Sequence, residues 1–126
     1  MPSSIAAIAV GASLGALLRW LLAVRFNPLF PAVPLGTLAA NLLGGYFIGV
    51  LVAWLGLRPD LPPQVRLFLV TGLMGGLTTF STFSAEVVSQ LESGHMAWAL
   101  TIATSHVAGS LLLTALGMGT VRWLAH

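Results

Sequence analysis

The sequence predicts an all-α membrane protein of four transmembrane helices, with the third helix broken at mid-membrane. Three observations carry this. Hydrophobic residues make up 57% of the chain and charged residues 6%, whereas a soluble domain carries roughly 25% charged residues. Apolar runs close to the roughly 20 residues that a membrane helix needs recur four times. Within the third run lies a polar, glycine-bearing stretch, residues 75–84. At 126 residues the chain is long enough for one domain, residues 1–126.

The expected spans are residues 4–24, 35–57, 65–91 and 97–125. The first lacks a basic leading segment and a small-residue cleavage site, and so reads as a retained helix. Asn27-Pro28 with Pro31 and Pro34 separates it from the second. Arg58-Pro59-Asp60 with Pro62-Pro63 precedes the third, and Glu92-Ser93-Gly94-His95 precedes the fourth. These are turn signals. Trp20, Trp54, Trp98 and Trp123 each fall near a span end, where an amphipathic ring suits the membrane interface. Gly11 and Gly15, and Gly45 and Gly49, recur at four-residue spacing, and Gly117 and Gly119 are further small positions. Such residues let helices approach closely in lipid.

Charge excludes several function classes. There is no lysine and no cysteine. The cations are Arg19, Arg25, Arg58, Arg66 and Arg122, and the acids are Asp60, Glu86 and Glu92. Scattered arginines make no footprint for nucleic acid, and thiolate metal sites and cysteine nucleophiles are ruled out. With four spans, both chain ends share a side with Arg58, Arg66 and Arg122, against Arg25 and Arg19 opposite. Orientation follows an excess of Lys and Arg on one side, and here the excess is nearly nil. The expectation is insertion in both orientations and assembly as an antiparallel pair.

Polar groups in hydrocarbon are costly unless paired or facing a wet cavity. Two adjacent glycines, Gly75-Gly76, followed by Leu77-Thr78-Thr79-Phe80-Ser81-Thr82-Phe83-Ser84, suit a continuous helix poorly. A break is expected within residues 75–79. Non-helical backbone at that depth must be buried or line a cavity, and freed carbonyls there suit a cation. After the break, Phe80 and Phe83 share a helix face, with Ser81 and Ser84 on the neighbouring one. His106, Ser110 and Thr114 form a polar stripe on span four, and Asn41 is a lone amide in span two. Glu86 is the one acid able to lie within a span. This lining offers hydroxyl and amide donors without a full positive charge, and phenylalanine adds a positive ring edge. It suits a small, hard anion.

The residues Gly75-Gly76-Leu77-Thr78-Thr79-Phe80-Ser81-Thr82-Phe83-Ser84, with Asn41-Leu42-Leu43-Gly44-Gly45 and the Gly11, Gly15, Arg19 series, resemble the Fluc fluoride channels, also called CrcB. The resemblance covers essentially the whole chain. It implies a dual-topology antiparallel homodimer in the inner (plasma) membrane of a bacterium, with two fluoride pores and a sodium ion at the dimer centre. It implies that the main-chain carbonyls of Gly75 and Thr78 bind the sodium. It implies pore roles for Phe80, Phe83, Asn41, Ser110 and Thr114, with Ser81 and Thr82 as further donors. His106 continues the polar track, Glu86 borders a vestibule, and Arg19 is structural or lines a vestibule. The implied activity is passive, selective fluoride conduction, not catalysis. Three other readings compete: a small dual-topology proton-coupled exporter, an intramembrane enzyme using Ser81 or Ser84 with His106, and a purely structural subunit. The first needs a carboxylate deep in the membrane, and the second a nucleophile turn and an orienting acid; neither is evident.

Overall fold

A computed structural model describes residues 1–126, and every regular element in it is helical. Helix α1 (Pro2–Phe26) opens with proline in its first turn, where the missing N–H costs nothing. A short 3-10 turn (Asn27–Leu29) and an extended Pro34 lead into α2 (Leu35–Gly56). Span three is divided. Its first half, α3 (residues 63–77), is α-helical at both ends and π-helical through Leu67–Met74. Its second half is α4 (Phe80–Glu92), and α5 (Met96–Leu124) completes the chain. Four stretches, Pro2–Leu29, Leu35–Gly56, Pro63–Glu92 and Met96–Leu124, are long and apolar enough to cross a membrane.

Only 19 of 126 residues are buried, so most apolar side chains point outward. In a bilayer that surface meets lipid, and helix association then rests on close packing. The close contacts are made by glycine. A Cβ on Gly11 would run into the Phe68 carbonyl, and one on Gly15 into the Leu73 carbonyl, so both let α1 sit against the backbone of α3. Gly76 returns the contact against Ala12. Gly45 and Gly49 face the backbone of Ser110 and Thr114, and Gly117 faces that of Tyr46, which draws α5 onto α2. Gly119, grouped with these from the sequence, has no atom of the chain within 4 Å of where its Cβ would stand.

The break falls inside the expected stretch but at its last two residues. Gly75, Gly76 and Leu77 remain helical, while Thr78 (φ −88°, ψ 155°) and Thr79 (φ −147°, ψ 123°) are extended. The interruption changes the partners of span three. Helix α3 packs on α1, whereas α4 packs on α5, and α2 touches both halves. The π-helical turns before the break had no sequence signal. They widen the backbone where α3 passes Gly11, and π segments tend to mark functional positions.

The loops close by local bonds. Asn27 Oδ1 accepts the Thr37 N–H (3.0 Å), capping the start of α2. Gly94 takes the left-handed backbone (φ 79°) that turns α4 into α5, with the His95 N–H on the Gln90 carbonyl (2.8 Å). Arg58 donates two bonds to Asp60 (3.0 and 2.9 Å) in the α2–α3 loop, and this pairing holds the exposed Asp60 carboxyl below its ordinary value.

Gly49→Ala is expected to lower the thermal midpoint in detergent, because its methyl meets the Thr114 carbonyl of a packed neighbour. Gly119→Ala, in open space, leaves the midpoint unchanged or raises it through helix propensity worth about 1 kcal/mol. Scanning fluorimetry of the two purified variants checks both.

Candidate functional site

The two extended residues leave backbone groups without helical partners, and three side chains meet them. Asn41 Oδ1 accepts the Thr79 N–H (2.8 Å), and Asn41 Nδ2 donates to the Thr79 carbonyl (3.0 Å). One amide thus replaces both ladder bonds of one residue. Arg19 Nε donates to the Gly76 carbonyl (3.0 Å), bringing a cationic donor from α1 to the carbonyl end of α3. This is the favourable side of the helix dipole. Thr79 caps α4, its Oγ1 accepting the Thr82 N–H (3.0 Å). The Thr78 hydroxyl and N–H both go to the Met74 carbonyl (2.8 and 3.0 Å).

Two oxygens stay free. The Thr78 carbonyl accepts no hydrogen bond. The Gly75 carbonyl loses its usual partner four residues on, because the Thr79 N–H is committed to Asn41. Gly75 is exposed, and a Cβ there would meet nothing closer than the Val70 carbonyl at 3.8 Å. No packing within the chain therefore requires glycine at this position. Bare carbonyl oxygens are the donor type that hard cations prefer, so Gly75 and Thr78 fit such an ion.

Beside the break runs an open groove of about 500 Å³. It brings together Asn41, Gly75, Thr78, Phe80, Phe83, His106, Ser110 and Thr114, with Thr79 and the apolar Ile48, Met74 and Leu111. Spacing along α5 aligned His106, Ser110 and Thr114, and the glycines of α2 let that face approach. No arginine, aspartate or glutamate lines the groove. Thr114 Oγ1 lies within bonding distance of the Gly45 carbonyl (2.8 Å) and the Ser110 carbonyl (2.9 Å). The Ser110 hydroxyl is not bonded back to its own helix, unlike those of Thr101 and Ser105 (2.8 and 2.7 Å).

Phe80 and Phe83 meet edge to face, centroids 5.5 Å apart at 72°. They differ in setting. Phe80 is 77% exposed on the open side, while Phe83 is buried and stacks on His106 at 4.7 Å and 28°. His106 Nδ1 lies 2.9 Å from Asn41 Nδ2.

Other expected site residues lie elsewhere. Thr82 and Glu86 line a second cavity of about 260 Å³, next to Pro31, Pro34 and Gln90. Glu86 Oε1 is buried there without a hydrogen-bond partner, near the Thr37 hydroxyl. Ser81 is exposed, with its Oγ 3.3 Å from Thr79 Oγ1. Arg19 reaches the break from α1. Neither Ser81 nor Ser84 is bonded to His106, so the serine–histidine pairing required by the enzyme reading does not form. Thr79 was missed as a site residue. Its signal was a threonine three residues before Thr82, the spacing of a helix cap. Thr37, almost fully buried between Asn27 and Glu86, had no signal in the sequence.

Four helices long and apolar enough to cross a membrane, with a polar groove beside the broken third span, describe a multi-pass membrane protein. The family model described as "CrcB-like protein, Camphor Resistance (CrcB)" matches residues 6–118, and the chain belongs to that family. It is 61% identical over 123 residues to a Burkholderia cenocepacia protein named "Fluoride-specific ion channel FluC", covering 97% of this chain and 96% of that one. Proteins of the same name from Burkholderia pseudomallei and Burkholderia thailandensis are each 58% identical with the same coverage.

Asn41→Leu removes both partners of Thr79 at membrane depth. Unpaired buried groups cost about 1–3 kcal/mol each, so the variant is expected to lose at least about 2 kcal/mol in a denaturing-detergent titration followed by circular dichroism.

Proposed function

We propose that the protein is a fluoride channel that conducts passively, built from two copies of this chain in antiparallel orientation. The observation that carries this is the groove: donor-lined, free of carboxylates and arginine, and open along one side. A polar groove open to lipid would be unfavourable. A second copy covers it, and the near-balance of arginines across the membrane permits opposite insertion of that copy. The names of the relatives supply the ion.

In this reading each pore runs past Phe80, Phe83, Asn41, Ser110 and Thr114. Conduction needs contacts strong enough to strip water and weak enough to release the ion. Hydroxyls and ring edges meet that need, whereas a fixed arginine would hold the anion. The carbonyls of Gly75 and Thr78 from both copies hold one sodium ion at the centre, which offsets repulsion between anions in two pores. Ser81 and Thr82 add donors on the approach, and Glu86 borders the vestibule. Hydrogen fluoride crosses membranes uncharged and dissociates inside; the membrane potential then drives fluoride out through an open anion path. The proton-coupled exporter finds no support in the groove, since its one candidate carboxylate, Glu86, stands in the separate cavity.

Liposomes loaded with fluoride and carrying the purified protein are expected to release it, as read by a fluoride electrode; release no faster than from protein-free vesicles would falsify the channel reading. Phe80→Ile is expected to slow release about tenfold or more, the kinetic equivalent of roughly 1.4 kcal/mol. Tags on the chain's C-terminus should report both sides of the membrane. Finding it in the cytoplasm alone argues against the antiparallel pair.

A further inference from the structure

We infer that Gln90 is a positioning residue for the groove: its side-chain amide latches the connection between α1 and α2, and that connection seats Val33 in the buried cluster that holds the Phe83 ring. The inference rests on the channel reading above, in which Phe83 borders the pore.

The connection itself shows why a latch is needed. Pro28, Pro31 and Pro34 lie within it, and proline has no N–H to give. The Val33 N–H closes a turn on the Phe30 carbonyl (3.1 Å), and no backbone N–H reaches the Ala32 carbonyl. Gln90 Nε2 donates to that carbonyl from α4 at 2.8 Å. A carbonyl only accepts, so this contact fixes the amide, and Gln90 Oε1 is the atom that faces His95 Nδ1 at 3.0 Å. The His95 N–H donates to the Gln90 carbonyl (2.8 Å). One residue thus fastens two connections, the one between α1 and α2 and the turn between α4 and α5. Phe30 adds an apolar anchor, its ring edge to face with Trp98 of α5 at 5.4 Å.

The residue after the latched carbonyl is Val33. It is buried in one cluster with Phe83 and Ile102, against which Leu38 and Val87 pack. The Phe83 ring in turn lines the groove and stacks on His106. Interiors are packed densely enough that a ring keeps its place only while its neighbours keep theirs. Gln90 lines the second cavity and not the groove, so its influence on Phe83 passes through the connection and Val33. A residue at the end of α4 thereby sets a ring near the start of the same helix, by way of a segment from outside it.

The test has two arms. The first is 19F NMR of the protein in nanodiscs, with 4-fluorophenylalanine in place of phenylalanine and the Phe83 signal assigned by its loss in Phe83→Leu. That signal is expected to move in Gln90→Met and in Val33→Ala. It should stay in place in His95→Ala, which keeps the bond to Ala32. A Phe83 signal unmoved in Gln90→Met overturns the inference, as does an equal movement in His95→Ala. The second arm is fluoride release from liposomes. Gln90→Met and Val33→Ala are each expected to slow release about threefold, the rate equivalent of one modest contact. Combined, they should slow it no further, because both act at one step. Effects that multiply, or wild-type release from Gln90→Met, overturn the inference. If Gln90→Met does not elute as the wild type does on size exclusion, Gln90→Asn, too short to reach Ala32, takes its place in both arms. No release from wild type overturns the channel reading itself, whereas normal wild-type release with an unmoved Phe83 signal overturns only the role of Gln90.

Discussion

At membrane depth a backbone N–H or carbonyl must find a partner inside the protein, because the surrounding hydrocarbon offers none. This chain interrupts a helix there, at Thr78 and Thr79. Everything near the break follows from how the freed groups are met. Asn41 takes both polar groups of Thr79, Arg19 takes the Gly76 carbonyl, and Thr79 caps the helix that restarts. The Thr78 carbonyl is left over, and Thr78 lines the same groove as the polar stripe of α5. A fully satisfied break would be a kink. This one leaves a spare oxygen beside donor side chains.

The interruption also decides the packing. Its first half leans on α1 through Gly11, Gly15 and Gly76, and its second half leans on α5. A continuous helix would have to choose one neighbour along its whole length. Changing partners at mid-membrane opens the space between α3 and α5 that the groove fills. Asn41 holds that space in register, because α2 is the element that touches both halves. Its amide links α2 to the break and, through His106, to α5. One side chain therefore ties together three spans at the depth where conduction is proposed.

Much of this was legible in the sequence. The spans fall within a few residues of where charge and proline cut the chain, since those signals act locally. The stripe of His106, Ser110 and Thr114 could be aligned because α5 is unbroken and helical spacing carries over three turns. Past the break, spacing carries less. Phe80 and Phe83 do share a face, meeting edge to face on the groove, but their unequal exposure, 77% and 8%, had no signal. Thr82 and Glu86 turn to another cavity. The direction in which α4 sets out depends on the backbone angles of Thr78 and Thr79, which side-chain periodicity does not encode. Gly75 and Gly76 signalled an interruption, but the chain uses Gly76 to approach Ala12 and breaks after it. The π-helical turns were not legible at all, because apolar residues suit either hydrogen-bond pattern.

The distribution of charge around the groove has a consequence for selectivity. Arg19 is spent on a backbone carbonyl, and Glu86 stands in a different cavity, so the groove holds an amide, hydroxyls, ring edges and an imidazole, with no arginine or carboxylate. A path lined by dipoles cannot attract an anion from afar as a basic funnel does. It must compete with water at contact distance, and there the advantage goes to the ion whose small radius draws most from a short N–H or O–H. In the proposed pore, a large anion gains less from the same donors. Discrimination by this lining in the proposed pore is therefore a matter of how closely donors approach, and Asn41 sets that spacing where α2 meets Thr79 and His106.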